Sequence, residues 1–165
     1  MFRVFSFFLT FCLICLPVTA APATPTGSTP IPPEIQAAYN SLTDAWVRLD
    51  YEGVMRHFAP DASILDGRGQ LLDRAHLEDT VREALEGSLT CRISYKVLSS
   101  MEGDGGMVVR THQERYIDYG DKKVLRIAER EDTWRLGEEG WHIGFVRFLT
   151  QTATIDTKLV RPGRP

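Results

Sequence analysis

The stretch that decides the fold of this chain is residues 123–150, KVLRIAEREDTWRLGEEGWHIGFVRFLT. It contains two long runs that are rich in β-branched and aromatic side chains, and GEEG at 137–140 joins them. Trp134 lies near the end of the first run and Trp141 opens the second. Two strand-like runs around a short, glycine-flanked loop predict a β-hairpin.

Two further strands are predicted before this hairpin, at 89–99 and 107–119, and the hairpin strands themselves are predicted at 122–136 and 141–154. The connections between these four strands are short. Neighbours in sequence should therefore pair antiparallel, as a meander.

Helices are predicted before the strands, at 34–49, 51–58 and 74–86. Ile35, Ala38 and Leu42 recur at three- and four-residue steps and so share one face of the first helix. Asp50 and Asp73 can cap the other two. Two very short strands are predicted at 63–65 and 70–72. This order predicts an α+β fold, with three N-terminal helices packed on a strongly curved antiparallel sheet around a pocket.

The N-terminus has the three parts of a secretory signal peptide: Arg3, an apolar run at 4–16, and small residues before Ala21. The run is too short for an ordinary membrane span, and an uncleaved anchor is the alternative. We expect a signal peptide at 1–20, a Pro/Thr-rich flexible linker at 21–33, the folded domain at 34–157 and a flexible tail at 158–165. The mature protein would be secreted or periplasmic.

Composition narrows the range of partners. The chain has 165 residues, 43% of them hydrophobic, which suits one domain with a real core. There is no basic patch with interleaved aromatics and no basic amphipathic helix, so neither nucleic acid nor, after cleavage, a membrane is an expected partner. The mature chain would keep Cys91 alone and could form no intramolecular disulfide. The histidine spacings match no metal motif, and no cofactor is expected.

Several short motifs carry a resemblance to a known superfamily. They are FAPDAS at 58–63 with Asp66-Gly67, LDR at 72–74, DTWR at 132–135 and GWHI at 140–143. The chain resembles the nuclear transport factor 2-like superfamily, which includes SnoaL-like proteins and ketosteroid isomerase, over about residues 34–154. The resemblance implies a cone fold that hosts isomerases, dehydratases, cyclases and binding modules. It also implies a homodimer paired through the open face of the sheet.

Asp66 is the first candidate site residue. The resemblance implies a general base here, because Asp61 and Asp66 reproduce the D-A-x-x-x-D spacing of the isomerase. The alternative is that Asp66-Gly67 only turns the small hairpin. The isomerase also uses a tyrosine of its first helix as an oxyanion donor, but the matching position here is Leu42, which cannot donate. Tyr39, one turn away, is a possible substitute.

The strand at 107–119 is unusually polar, and alternation divides its side chains into two sets. One set contains Arg110, His112, Glu114 and Tyr116, and the other contains Thr111, Gln113 and Arg115. If the first set faces the pocket, His112 and Glu114 could form an acid/base pair, or the set could hold a polar ligand. The alternative is a solvated outer face or a polar dimer contact.

The hairpin supplies the remaining candidates. Arg130 and Asp132 could neutralise each other inside the cone, and Trp134 would form part of the pocket wall. Arg147 shares a predicted apolar face with Ile143. A buried guanidinium there needs a carboxylate, so Arg147 is predicted to contact an anionic ligand, with snorkelling to the sheet edge as the alternative.

These features predict an exported small-molecule-binding domain of the SnoaL-like type, with an anionic or carbonyl-bearing ligand. One alternative is an isomerase, dehydratase or cyclase that uses Asp66 or His112 as general base. Another is a structural domain with a filled pocket.

Overall fold

The computed structural model describes residues 29–157. The predicted signal peptide at 1–20, most of the predicted linker and the predicted tail at 158–165 lie outside these residues. The helices are α1 (Pro33–Val47), α2 (Tyr51–Met55) and α3 (Arg74–Leu85). The strands are β1 (Phe58–Leu65), β2 (Leu71–Leu72), β3 (Thr90–Gly103), β4 (Gly106–Asp118), β5 (Lys122–Gly137) and β6 (Gly140–Thr157). Across the described residues, no helix has both the length and the apolar character needed to span a membrane.

The predicted α+β architecture is confirmed, and the helix signals in the sequence act as expected. Pro33 starts α1, where its missing N–H costs no hydrogen bond. The Asp50 carboxylate caps α2 by accepting from the backbone N–H of Gly53 at 2.8 Å. The Asp73 carboxylate caps α3 by accepting from the backbone N–H of His76 at 3.0 Å. The buried face of α1 consists of Ile35, Tyr39, Leu42, Ala45 and Trp46.

The six strands within residues 29–157 form one curved, unclosed sheet in the order β2-β1-β6-β5-β4-β3. Strands β3 to β6 form the predicted antiparallel meander. Gly137 pairs with Gly140 at the end of the β5–β6 hairpin, so the loop consists of Glu138 and Glu139. The helices lie on the inner face of this sheet, where Trp134, Val109 and Ile143 are fully buried.

The segment after α2 is a strand and not the predicted continuation of the helix. The second helix was predicted to extend to Phe58, but Phe58 already begins β1, which runs parallel to β6. Long-range contacts decide this: the Ile143 N–H donates to the His57 carbonyl at 2.8 Å. Arg74 from α3 also donates to the carbonyls of Phe58 (2.8 Å) and Ala59 (2.5 Å), which helps to hold the segment extended.

Two β-bulges in β6 change which side chains face inward. Trp134 pairs with Ile143 and Thr133 pairs with Phe145, so Gly144 is an extra residue without a partner in β5. Leu149 is a second extra residue, because its neighbours Phe148 and Thr150 pair with Arg130 and Glu129. An extra residue reverses the alternation of the side chains that follow it. Val146 and Phe148 consequently face inward, whereas Arg147 faces outward. The predicted common face of Ile143 and Arg147 is therefore wrong.

The residues that precede α1 lie against the edge strand β3. The Thr29 N–H donates to the Ser100 carbonyl at 3.0 Å, and the Ser100 hydroxyl donates back to the Thr29 carbonyl. Ile31 packs against the core. The last residues of the predicted linker are thus held by β3.

His57, which lies between α2 and β1, generates a prediction about stability and pH. Its side chain is 8% exposed, and its Nε2 lies 3.2 Å from the Ser41 hydroxyl. Burial, together with the charges of Arg56 and His142, lowers the pKa of His57 below its ordinary value. The folded protein therefore binds fewer protons than the unfolded chain, and stability contributed by neutral His57 is lost as the pH falls below about 6.5.

We expect the unfolding free energy of the wild type to fall more between pH 7.5 and 5.5 than that of His57→Gln. Urea unfolding at the two pH values measures this difference. Parallel losses in the two proteins would contradict the assigned role of His57.

Candidate functional site

A cavity of about 180 Å³ lies between the helices and the inner face of the sheet. Its apolar wall comes from both helices and strands, and it includes Trp46, Phe58, Leu77, Val81, Val146 and Phe148. Its polar wall comes mainly from the long strands, and it includes Tyr95, Gln113, Arg115, Arg126 and Arg130. One enclosed space thus combines apolar surface with several hydrogen-bond donors, as small-molecule sites do.

Two of the second set of β4 side chains, Gln113 and Arg115, line the cavity, and the third, Thr111, is fully buried. Alternate residues of a strand share a face, so Thr111, Gln113 and Arg115 lie on the same face of β4 as the core residues Met107 and Ile117. The apolar residues near the two ends of the strand therefore turn the polar residues between them inward. This places a positively charged side chain in the interior.

Arg115 is the unusual member of this wall. It is 9% exposed, and its guanidinium carbon lies 4.7 Å from the ring centroid of Trp46. Among residues 29–157 no carboxylate pairs with it, and its Nε is enclosed without a hydrogen-bond partner. Burial, and secondarily the charge of Arg126, lowers the pKa of Arg115 to about 10. Arg115 therefore stays charged at neutral pH, at a cost that a bound anion would offset.

Arg126 adds a second positive charge to the same wall. It is the cross-strand partner of Arg115, and both side chains line the cavity. Within the described part of the chain, Arg126 also makes no ion pair. Two guanidinium groups without carboxylate partners thus stand side by side on adjacent strands.

Arg130, by contrast, is neutralised by the protein. Its Nη2 donates to Asp132 Oδ2 at 3.0 Å, as predicted from the sequence. Burial opposes the charge on Arg130, but Asp132, Tyr95 and Tyr39 outweigh it and raise the guanidinium pKa above its ordinary value. Arg130 lines the cavity, also lies over the Tyr95 ring at 5.1 Å, and has an Nε without a partner among the described residues.

Tyr39 and Trp134 support this ion pair from the core. The Tyr39 hydroxyl donates to Asp132 Oδ2 at 2.7 Å and accepts from Trp134 Nε1 at 3.0 Å. Tyr39 is 2% exposed and Trp134 is fully buried, and neither lines the cavity. In this structure both predicted ligand contacts lie behind the cavity wall, where Trp134 holds Tyr39 and Tyr39 holds Asp132.

Asp66 lies at the mouth of the cavity. Asp66, Arg126 and Gln151 line both the enclosed cavity and an open groove on the surface, so they mark the point where the two meet. Asp66 Oδ1 accepts from the N–H groups of Arg68 (2.9 Å) and Gln70 (2.8 Å). The predicted turn role of Asp66 is confirmed, and the same carboxylate also reaches the cavity. Its role as a general base stays a prediction.

The first set of β4 side chains lies on the outer face of the sheet. Arg110 pairs there with Glu129 at 2.7 Å, and His112 Nε2 lies 3.3 Å from Glu114 Oε1. Tyr116 is beside Glu114 in an open surface depression. These four candidates therefore do not line the cavity, and the alternative of a solvated outer face describes them correctly.

Arg147 also lies outside the cavity. It donates to Glu131, its cross-strand partner, and its side chain is 49% exposed. The prediction that it contacts a ligand in the pocket does not agree with this placement. The reason is the bulge at Gly144, which turns Arg147 outward.

The cavity is lined by four residues that were not among the predicted site residues: Tyr95, Gln113, Arg115 and Arg126. A signal for Arg115 and Gln113 was present, because the apolar residues at both ends of β4 fix its inward parity. Arg126 follows from its register with Arg115. Within residues 29–157, no cluster of three or more His, Cys, Asp or Glu side chains could hold a metal ion.

Comparison with known proteins identifies the fold. No family model and no curated protein matches the sequence. Among solved structures, a candidate scytalone dehydratase from Novosphingobium aromaticivorans is 12% identical, with a TM-score of 0.64 over 81% of this chain and 91% of that chain. A candidate dehydratase of the nuclear transport factor 2-like family from Streptomyces avermitilis is 11% identical (TM-score 0.59; 78% and 96% covered). A domain of unknown function with a cystatin-like fold from Nostoc punctiforme is 16% identical (TM-score 0.52; 69% and 73% covered).

The Tyr39 hydroxyl generates a prediction about stability. Tyr39→Phe keeps the ring contacts with Tyr95 and Trp134, but it leaves the buried Trp134 N–H without a partner and removes one of the two donors to Asp132 Oδ2, of which Arg130 remains. We expect the unfolding free energy to fall by about 2–4 kcal/mol. Tyr51→Phe is the matched control, because it removes only an exposed hydrogen bond from Arg82 and should cost less than about 0.5 kcal/mol. Equal losses of unfolding free energy in the two variants would contradict the stabilising role of the Tyr39 hydrogen bonds.

Proposed function

We propose that this chain, which has the nuclear transport factor 2-like cone fold, is an exported binding domain for a small organic anion. Arg115 holds the acidic group of the ligand, and the apolar wall around Trp46 and Phe58 holds its body. The observation that carries this proposal is the buried guanidinium of Arg115, which has no ion-pair partner among residues 29–157.

The energetics favour an anionic group over a neutral one. An arginine that is buried without a carboxylate loses hydration and gains little in return. Stacking on Trp46 compensates part of this loss. A carboxylate can accept two parallel hydrogen bonds from one guanidinium, which is the geometry that arginine favours. Arg126 strengthens the attraction because it contributes a second positive charge to the cavity.

The cavity volume limits the body of the ligand. About 180 Å³ is slightly more than the roughly 150 Å³ of a protein cavity that holds benzene. The apolar residues around it include the flat ring of Trp46 and the side chains of Leu77 and Val81. These features favour a carboxylic acid with a single ring or a compact aliphatic body.

The second candidate function is an enzyme of the isomerase, dehydratase or cyclase type, with Asp66 as general base. The observation in its favour is that the Asp66 carboxylate lines the same cavity as Arg115. Such an enzyme predicts that Asp66→Asn still binds its substrate but no longer converts it. His112 is not retained as a base in this candidate, because it lies on the outer face of the sheet.

Export and self-association complete the proposal. Export is supported by the signal-peptide pattern at 1–20, and a mature protein that begins at Ala21 would be its direct signature. A homodimer is supported by the outer face of the meander, where Leu98 and Met101 are 43% and 44% exposed. Neither nucleic acid nor a membrane is proposed as a partner.

Arg115→Met tests the proposed anion site. We expect wild-type protein to bind benzoate more tightly than the neutral isostere benzamide, and Arg115→Met to lose at least about 10-fold in benzoate affinity. Arg147→Met is the matched control, because it makes the same change in charge on the outer face, and it should leave the affinity unchanged. Isothermal titration calorimetry measures the benzoate and benzamide affinities of the wild type and the two variants.

Unligated Arg115→Met should be at least as stable as the wild type, because the change replaces an unpaired buried charge with an apolar side chain. The unfolding free energy of the unligated variant therefore shows whether a loss of benzoate binding comes from the site or from unfolding. Equal benzoate affinity in Arg115→Met and wild type would overturn the proposed function, as would the failure of wild type to bind organic acids.

A further inference from the structure

We propose that Asp66 selects ligands that carry a hydrogen-bond donor or a positive charge at the end opposite their acidic group. The ligand would then be an amphoteric molecule, such as an amino- or hydroxy-substituted ring carboxylate. Its acid would face Arg115 inside the cavity and its donor would face Asp66 at the mouth. This inference rests on the proposed function, because it assumes that an anion enters the cavity.

Asp66 is a carboxylate acceptor at the mouth of a cavity whose interior offers donors, and it lies there with Arg126. The interior offers donors, because within residues 29–157 no carboxylate pairs with Arg115 and no acceptor reaches the enclosed Nε of Arg130. The mouth offers the Asp66 carboxylate, which is an acceptor when ionised. A ligand that contacts Arg115 and Asp66 at the same time carries an acceptor at its inner end and a donor at its outer end.

The Asp66 carboxylate is both fixed and available. The N–H groups of Arg68 and Gln70 occupy its Oδ1, and the Asp66 backbone closes the hairpin with Gln70 at 3.0 Å. Within residues 29–157 its Oδ2 makes no hydrogen bond, and no ion pair joins it to Arg126 on the other side of the mouth. A carboxylate that the turn holds in place can therefore turn its second oxygen towards a ligand without losing its structural role.

The turn also explains why Asp66 can be tested without unfolding the site. Asparagine at this position keeps a side-chain oxygen that can accept from Arg68 and Gln70, but it removes the negative charge. Asp61 offers a matched control nearby in β1. Its side chain is 71% exposed and pairs with Arg135 at 3.0 Å, and it does not line the cavity.

The experiment compares two ligands of the same shape, 4-(aminomethyl)benzoate and 4-ethylbenzoate. They differ in whether the far end is an ammonium or a methyl group. Calorimetry on wild type, Asp66→Asn and Asp61→Asn gives an affinity ratio for each protein. We expect wild type to prefer the aminomethyl acid by about 10-fold, Asp61→Asn to keep that preference, and Asp66→Asn to lose it.

The outcomes separate this inference from the proposed function. If both acids bind in an Arg115-dependent manner but wild type shows no preference, or if Asp66→Asn keeps the preference, the role of Asp66 is wrong and the anion site stands. If neither acid binds wild type, both the role of Asp66 and the proposed function are overturned.

Discussion

The burial of the Arg115 guanidinium against Trp46 is the constraint on which the account of this protein depends. Core residues near both ends of β4 fix the side-chain parity that turns Arg115 inward. The nearby ion pair of Arg130 and Asp132 shows how the same fold neutralises a buried arginine when it supplies a carboxylate. No such carboxylate among residues 29–157 reaches Arg115, so the cavity keeps an excess of positive charge. A site with this imbalance is suited to an organic anion.

Most of the fold could be predicted because its signals are local. The three-to-four-residue spacing in α1, the Asp caps of α2 and α3, and the glycine-flanked hairpin each depend on neighbours in sequence. The strand at Phe58 could not be predicted in the same way. It forms because Ile143 and Arg74, both distant in sequence, satisfy the backbone of that segment.

The site residues were harder to predict, because they depend on which face of the sheet each side chain occupies. Simple alternation places Arg147 with Ile143, but the bulge at Gly144 reverses the pattern and moves Arg147 to the outer face. The polar stretch of β4 contains no bulge. Simple alternation from the core residues Met107 and Ile117 would therefore have placed Arg115 on the inner face. The pair of Arg130 and Asp132 was predicted correctly because two residues on one strand at this spacing share a face.

A crystal structure of the protein purified from its source, with whatever ligand it retains, tests the central claim most directly. We predict that the cavity holds a small molecule whose acidic oxygens lie about 2.7–3.0 Å from the Arg115 guanidinium nitrogens. A protein carboxylate paired with Arg115, or a cavity occupant that presents no acceptor to it, would contradict the account.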